Sequence, residues 1–163
     1  MKNTIKTNRL IVRPMTNDEW NQIIDRVFDA NEAYIQFGYE QNDDLRDALA
    51  EPYVDAVVYY TFYLPFTREV IGYVEFTPDN KNLGFYMFEE YRHQGFAYEG
   101  IRAFMEACKR GEVTGAHETT FMADTMDTNI PCINLLKKLG FRGCGCGFSI
   151  TGGYGFNEFE CVA

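Results

Sequence analysis

Residues 82–107 join an aromatic strand to a long helix through a short loop with one glycine, and this junction most restricts the possible folds. Leu83–Phe88 has the composition of a buried strand. The first amides of the following helix lack internal partners and lie at the positive end of its dipole, so the junction predicts an anion site that suits a pyrophosphate. A turn glycine without a ligand is the alternative interpretation of Gly95. The helix, from Gly95 to about Arg110, has one apolar stripe at helical spacing, formed by Ala97, Ile101, Phe104, Met105 and Cys108.

The remaining patterns predict a mixed α/β sheet. Thr16 with Glu19 forms a capping-box pattern, and the helix after Asn129 has Pro131 in its first turn and Gly140 just beyond its end. Strands rich in Val, Ile, Tyr and Phe come before the junction and predict an antiparallel meander. The predicted order is β-α-α-β-β-β-α-β-α-β-β: a strand over Thr7–Pro14, a helix after Thr16, a short helix from Asp43 that ends before Pro52, strands Val57–Leu64, Val70–Thr77 and Leu83–Phe88, the long helix, a strand Thr119–Asp124, the helix after Asn129, and a hairpin of Phe141–Ile150 and Phe156–Val162.

Composition argues against several classes of function. The 163 residues carry 15 Lys+Arg against 24 Asp+Glu, a net charge of −9, which disfavours nucleic-acid binding and favours cationic partners. The only serine, Ser149, lies outside any G-x-S-x-G motif, which excludes a serine hydrolase, and the two histidines, His93 and His117, lack zinc-ligand spacing. No stretch approaches the roughly 18 apolar residues of a membrane span. We therefore expect one cytoplasmic domain over residues 1–163 with reduced cysteines and no metal.

Several ordered blocks resemble the GCN5-related N-acetyltransferase (GNAT) family. Arg92-x-x-Gly95-x-Ala97, after an aromatic strand, is similar to the acetyl-CoA signature of that family. Thr7–Pro14 resembles the opening strand of the branch that acetylates the N-termini of ribosomal proteins. The resemblance covers nearly the whole chain, and its further blocks, in the right order, are Ile71–Tyr73, Gly84–Tyr86, Ala97–Glu99 and Asn129–Phe141.

The resemblance implies the acyl-CoA acyltransferase fold, with a splayed sheet that holds acetyl-CoA between Leu83–Phe88 and Thr119–Asp124. The implied activity transfers acetyl to a primary amine, either a protein N-terminus or a small cationic amine, by direct attack in a ternary complex. No nucleic-acid or membrane partner is expected, and a homodimer stays open. The implied cofactor-binding residues are Tyr86, Met87 and Phe88 for pantetheine, Arg92, His93, Gln94, Gly95, Phe96 and Ala97 for the pyrophosphate, and Asn129, for which a helix N-cap is the alternative role.

Acetyl transfer needs a base for the amine, a donor for the oxyanion and a proton for the departing thiolate. Glu75 and Asp124 are the candidate bases, with an ordinary polar strand residue as the alternative for Glu75. The chain departs from its relatives at the proton donor, because Leu136 stands where many members have tyrosine. Cys132 stands where the ribosomal-protein branch often has serine and is the candidate acid, with packing as its alternative role. A non-catalytic acyl-CoA-binding module is therefore the alternative function.

Overall fold

Eight strands form one mixed sheet in the computed structural model, which describes residues 3–50 and 57–162. The strands are β1 (Ile5–Lys6), β2 (Ile11–Pro14), β3 (Val58–Leu64), β4 (Glu69–Thr77), β5 (Asn82–Met87), β6 (Thr120–Met126), β7 (Arg142–Ser149) and β8 (Tyr154–Val162). Their order across the sheet is β1-β2-β3-β4-β5-β6-β8-β7. Only β5 and β6 pair in parallel, and the other neighbours are antiparallel. The predicted meander (β3 to β5), C-terminal hairpin and mixed α/β class are confirmed.

Five α-helices lie within the described residues: α1 (Asn17–Asp29), α2 (Ala33–Phe37), α3 (Asp43–Ala48), α4 (Phe96–Lys109) and α5 (Ile130–Lys138). The predicted capping box is present, since Thr16 accepts from the Glu19 amide while the Glu19 side chain accepts from the Thr16 amide. The Asn129 side chain caps α5 by accepting from the Cys132 amide. No helix in the described ranges is long and apolar enough to cross a membrane.

The two faces of the sheet carry separate apolar clusters. One cluster packs α4 and α5 against the sheet through side chains such as Ile101, Phe104 and Leu136. The other packs α1 against the opposite face through Trp20 and Ile23. Because side chains alternate along a strand, consecutive residues of β4 enter different clusters. The sheet is therefore covered on both faces, and its central strands are fixed from both sides.

The sheet splays open between β5 and β6. Strand β4 pairs with β5 from Gly72 opposite Met87 to Thr77 opposite Asn82, whereas β5 and β6 are in register only at Asn82 and Met122. The Met122 amide donates to the Lys81 carbonyl at 2.8 Å at this point. Beyond it the two strands separate, which confirms the splayed sheet. Within residues 3–50 and 57–162, the rest of this edge of β5 has no strand partner.

The structure corrects one predicted element and adds another. The first strand is two pieces, β1 and β2, because the Thr7 hydroxyl accepts from the Leu10 amide and holds a turn between them. Helix α2 was not predicted at all. The short helix from Asp43 ends at Ala48, before Pro52 as predicted.

Candidate functional site

A cleft with a volume of about 780 Å³ opens where β5 and β6 separate. Strand β5 forms one wall, β6 and the start of α5 form the other, and the N-terminus of α4 closes one end. Helix α2 contributes Glu32, just before its first residue, and Gln36. The volume lies within the range of small-molecule and cofactor sites. The splay thus creates a ligand-sized opening in the middle of the sheet.

The backbone of β5 presents amide groups to this cleft. In an antiparallel pair, successive residues direct their backbone groups to opposite edges of the strand. The Phe88 amide donates to the Ile71 carbonyl of β4, so Tyr86 also faces β4, while Phe85 and Met87 face the cleft. The carbonyl groups on the cleft side already accept hydrogen bonds from side chains. Phe85 O accepts from Gln36 at 3.1 Å, and Met87 O accepts from Arg92 at 2.9 Å. The Phe85 and Met87 amides are therefore the donors aimed into the opening.

The loop before α4 brings a second set of amides to the cleft. Gly95 is the N-cap of α4 with φ of +81°, a left-handed conformation that favours glycine. His93 is also left-handed, with φ of +61°, and is exposed. This geometry leaves the first amides of a 14-residue helix at the end of the cleft. His93, Gly95, Phe96 and Ala97 all line the cleft, and Gln94 lies between them in the exposed part of the loop.

Arg9 holds this loop from another element, a role that the sequence analysis missed. Its guanidinium donates to the Gln94 carbonyl at 2.9 Å and pairs with Glu99 at 2.7 Å. It also stacks over the Phe96 ring, 4.1 Å from the centroid. These contacts join the chain before β2 to the first turn of α4, so Arg9 fixes the loop conformation.

Arg92 supports the β5 edge rather than standing free in the loop. Its guanidinium donates to the Met87 carbonyl and to Glu32 Oε1, the latter at 2.8 Å. The Tyr86 hydroxyl donates to the same Glu32 oxygen at 2.7 Å. Although burial opposes it, these hydrogen bonds hold the pKa of Glu32 below its usual value. The Arg92 charge is thus compensated by Glu32, which leaves the loop amides as the predicted anion ligands.

Glu75 is a carboxylic acid in a largely enclosed part of the cleft. It lies on β4 directly opposite Gly84 of β5, where a Cβ would come within 2.8 Å of Glu75 Oε1, so the glycine makes room for the carboxyl. Among the described residues, no side-chain hydrogen bond or ion pair offsets the effect of burial on this carboxyl. Burial raises the pKa of Glu75 to about 7. At neutral pH such a group both accepts and gives up a proton readily.

Cys132 and Asp124 lie on the opposite wall. Cys132, in the first turn of α5, lines the cleft and is partly exposed. Burial raises the pKa of its thiol, helped by the nearby Asp124 carboxylate and opposed by a hydrogen bond with Thr125. Asp124 itself is exposed at the cleft. Leu136 is fully buried beneath them and offers no proton.

Among the described residues, no group of three His, Cys, Asp or Glu side chains could hold a metal ion. The five cysteines are free thiols. The predicted residues Glu75, Tyr86, Met87, Asp124, Asn129 and Cys132 all line one cleft. Phe88 lies just outside it, buried on the α1 side of the sheet.

Comparisons with known proteins agree with this architecture. A family model described as an acetyltransferase (GNAT) domain matches residues 9–142. No curated protein sequence matches significantly.

Three solved structures illustrate the shared fold. RimL, a ribosomal L7/L12 alpha-N-protein acetyltransferase in complex with coenzyme A, has a TM-score of 0.74 at 15% identity, covering 98% of both chains. An acetyltransferase from Salmonella typhimurium that modifies the N-terminal serine of ribosomal protein L7/L12 has a TM-score of 0.72 at 16% identity, covering 99% of both chains. The microcin C7 self-immunity acetyltransferase MccE, in complex with acetyl-CoA and AMP, has a TM-score of 0.72 at 12% identity, covering 96% of this chain and 94% of that one. With the matching family model, the splayed sheet and the glycine-capped helix, the chain belongs to the GNAT acetyltransferase family.

Proposed function

We propose that this protein transfers the acetyl group of acetyl-CoA to a primary amine bound in the same cleft. The observation that carries the proposal is the unpaired β5 edge, which faces an opening closed at one end by the glycine-capped start of α4. An extended pantetheine arm can pair with the Phe85 and Met87 amides as an added strand would. The amides at Gly95, Phe96 and Ala97 can bind the pyrophosphate. Solved relatives contain coenzyme A or acetyl-CoA, which supports this assignment.

Acetyl-CoA would supply the acetyl group as a thioester, and the residues of the cleft manage the protons. An amine with a pKa of about 10.4 is neutral only about 0.04% of the time at pH 7, so attack is aided by a base. Glu75 accepts the proton that the amine loses as its nitrogen bonds to the acetyl carbon. A β5 amide stabilises the oxyanion. As the carbon–sulfur bond breaks, Cys132 gives its proton to the departing thiolate and is reprotonated from solvent.

The acceptor is a primary amine of one of two kinds, a protein N-terminus or a small cationic amine. RimL and the Salmonella enzyme act on the N-terminus of a ribosomal protein, whereas MccE confers self-immunity to microcin C7. The net charge of −9 favours a protonated amine as partner in either case. Glu75 and Asp124 border the cleft from opposite walls, and an ionised carboxylate at either position attracts a protonated amine.

Thermal shift with acetyl-CoA, followed by thiol release across a panel of peptides and amines, tests the proposed function. We expect stabilisation by acetyl-CoA and release of free CoA that depends on one class of amine. Stabilisation without thiol release from any amine would instead support a non-catalytic acyl-CoA-binding module. That second candidate is favoured by one observation, the buried Leu136 in place of a tyrosine proton donor. If acetyl-CoA does not stabilise the protein and no amine causes thiol release, both functions are contradicted.

Cys132→Ala is expected to lower kcat more than Cys132→Ser does. Serine keeps a hydroxyl that can donate a proton, whereas alanine removes the donor and leaves a similar apolar volume. Steady-state kinetics with saturating acetyl-CoA measures the difference. Wild-type kcat in both variants would show that Cys132 packs against the cleft without taking part in the reaction.

A further inference from the structure

A second concavity lies beside the cleft, between α4 and α5. Its volume is about 240 Å³, and its polar lining consists of Tyr98, Arg102, Glu106, Lys109 and Lys138, which together we call the basic pocket. Tyr98 and Lys138 line both the basic pocket and the cleft, so the two cavities adjoin. With three cations and one carboxylate, the basic pocket is positive in a chain whose net charge is −9.

Two of its cations lack a carboxylate partner. Lys109 pairs with Glu106 at 3.0 Å, but within residues 3–50 and 57–162 no carboxylate lies within 4.0 Å of Arg102 or Lys138. By contrast, seven of the nine arginines pair with a carboxylate of the described residues. The charges of Arg102 and Lys138 are thus available to an external anion.

The ring of Tyr98 holds both of these cations at the pocket. Lys138 Nζ lies 4.5 Å from the ring centroid, and the Arg102 guanidinium lies 5.9 Å from it. Arg102 also donates to the Tyr98 hydroxyl at 3.3 Å. These contacts bring one cation from α4 and one from α5 to the same aromatic side chain, which shapes a site for an anion with several acceptor oxygens.

The basic pocket lies within reach of the anion cradle at the start of α4. Arg102 follows Ala97 by five residues, which is about 7–8 Å along a helix axis. In acetyl-CoA, the ribose that follows the pyrophosphate carries a phosphomonoester on its 3′-oxygen. A phosphomonoester has a charge of about −1.5 to −2 at pH 7 and three strong acceptor oxygens. One sugar unit therefore separates two phosphate groups in the ligand, as a short length of α4 separates two anion sites in the protein.

We propose that the basic pocket binds the 3′-phosphate of acetyl-CoA through Arg102 and Lys138, and so selects acetyl-CoA over 3′-dephospho-acetyl-CoA. The proposal rests on the proposed function, because it takes acetyl-CoA as the ligand of the cleft. The phosphate supplies the counter-charge that both cations lack within the described chain. Lys109 contributes less, since Glu106 already compensates its charge.

Calorimetric titration of the full chain with the two thioesters tests this proposal. We expect wild type to bind acetyl-CoA at least about tenfold more tightly than the 3′-dephospho form. Arg102→Gln and Lys138→Gln should each reduce this ratio towards one while leaving the Kd for the dephospho form nearly unchanged. Lys137→Gln makes the same change of charge at the neighbouring exposed position outside the basic pocket, and it should keep the wild-type ratio.

The contrary outcomes separate this proposal from the proposed function. Tight and equal binding of both thioesters by wild type would overturn the role of the basic pocket and leave acetyl-CoA binding intact. Binding of neither would overturn the proposed function and this inference with it. A ratio reduced as much by Lys137→Gln as by Lys138→Gln would show diffuse charge attraction instead of a site. If wild type binds inorganic phosphate but has the same affinity for the two thioesters, the basic pocket is a site for free anions. That result also contradicts the proposal.

Discussion

Glu75→Gln is expected to lower kcat by about 10²–10⁴-fold, the usual contribution of a positioned base. Glutamine has the shape of the carboxyl but cannot accept the proton of the amine. Because the Phe85 and Met87 amides and the α4 loop are untouched, the Kd for acetyl-CoA should change by less than about threefold. Steady-state kinetics and calorimetric titration on the same preparation separate the two effects.

Two variants control for this result. Glu40→Gln makes the same change at an exposed position between α2 and α3 and should leave kcat unchanged. Asp124→Asn tests the other candidate base, on the opposite wall. A large loss of kcat in Asp124→Asn with wild-type activity in Glu75→Gln would reverse the assignment.

The raised pKa of Glu75 also predicts a pH profile. The carboxyl must be ionised to act as a base, so kcat/KM of wild type should fall as pH decreases through about 7. In Glu75→Gln this limb should disappear, while any limb due to the acceptor amine remains. A limb near pH 7 that persists in Glu75→Gln would assign it to another group.

Stability should change in the opposite direction to activity. The pKa of about 7 in the folded chain exceeds the ordinary value of 4.5 for glutamate, so the contribution of Glu75 to stability is fully present below pH 4.5 and is lost as pH rises through 7. At pH 8 the wild-type chain therefore buries an unfavourable charge that glutamine lacks. Glu75→Gln should be more stable by about 1–3 kcal/mol at pH 8 and nearly unchanged at pH 4.5. A lower Tm at pH 8 would contradict the burial of an unpaired carboxylate.

Gly95→Ala is expected to weaken acetyl-CoA binding by at least about tenfold. The left-handed conformation at Gly95 costs a residue with a side chain about 1–2 kcal/mol. A Cβ at this position would also lie 3.3 Å from a guanidinium nitrogen of Arg9, which holds the loop. Relief of either effect moves the loop, so the first amides of α4 no longer converge on one anion.

Gly111→Ala is the matched control for this variant. Gly111 lies just beyond α4 with φ of +69°, and a Cβ there would make ordinary contact with His117 at 3.7 Å. Both variants should lose similar stability in thermal unfolding, but only Gly95→Ala should lose affinity for acetyl-CoA by calorimetric titration. Equal, wild-type affinity in both would remove the α4 loop from the binding site.

Elements that carry a capping motif or an apolar stripe in their own sequence were predictable. Helix α2, which was not predicted, carries neither. The capping box of Thr16 and Glu19 lies at the start of α1, and the apolar stripe of α4 lies within that helix. Helix α2 has five residues and no side-chain cap. Its Gln36 instead donates to the Tyr73 hydroxyl and the Phe85 carbonyl, 37 and 49 positions away along the chain. Contacts at such separations leave no pattern in a single sequence.

The site shows the same division. The α4 loop was predicted because residue type and spacing around a helix start indicate anion binding. Cys132 was predicted from the resemblance to the GNAT family, since it stands where related proteins often have serine. Arg9 and Glu32 were missed because they reach Gln94 and Arg92 across 85 and 60 positions. Arg92 illustrates the consequence, since a cation in a phosphate-binding pattern is committed to Glu32 by an element that the sequence did not predict.

Direct detection of the acetylated amine tests the central claim, that the gap between β5 and β6 binds acetyl-CoA for transfer to an amine. The full chain is incubated with acetyl-CoA and the amine panel, and mass spectrometry measures N-acetylated product beside free CoA. The account predicts equal amounts of the two for one class of amine, with product formation much reduced in both Glu75→Gln and Gly95→Ala. Binding of acetyl-CoA without N-acetylated product from any amine would contradict it.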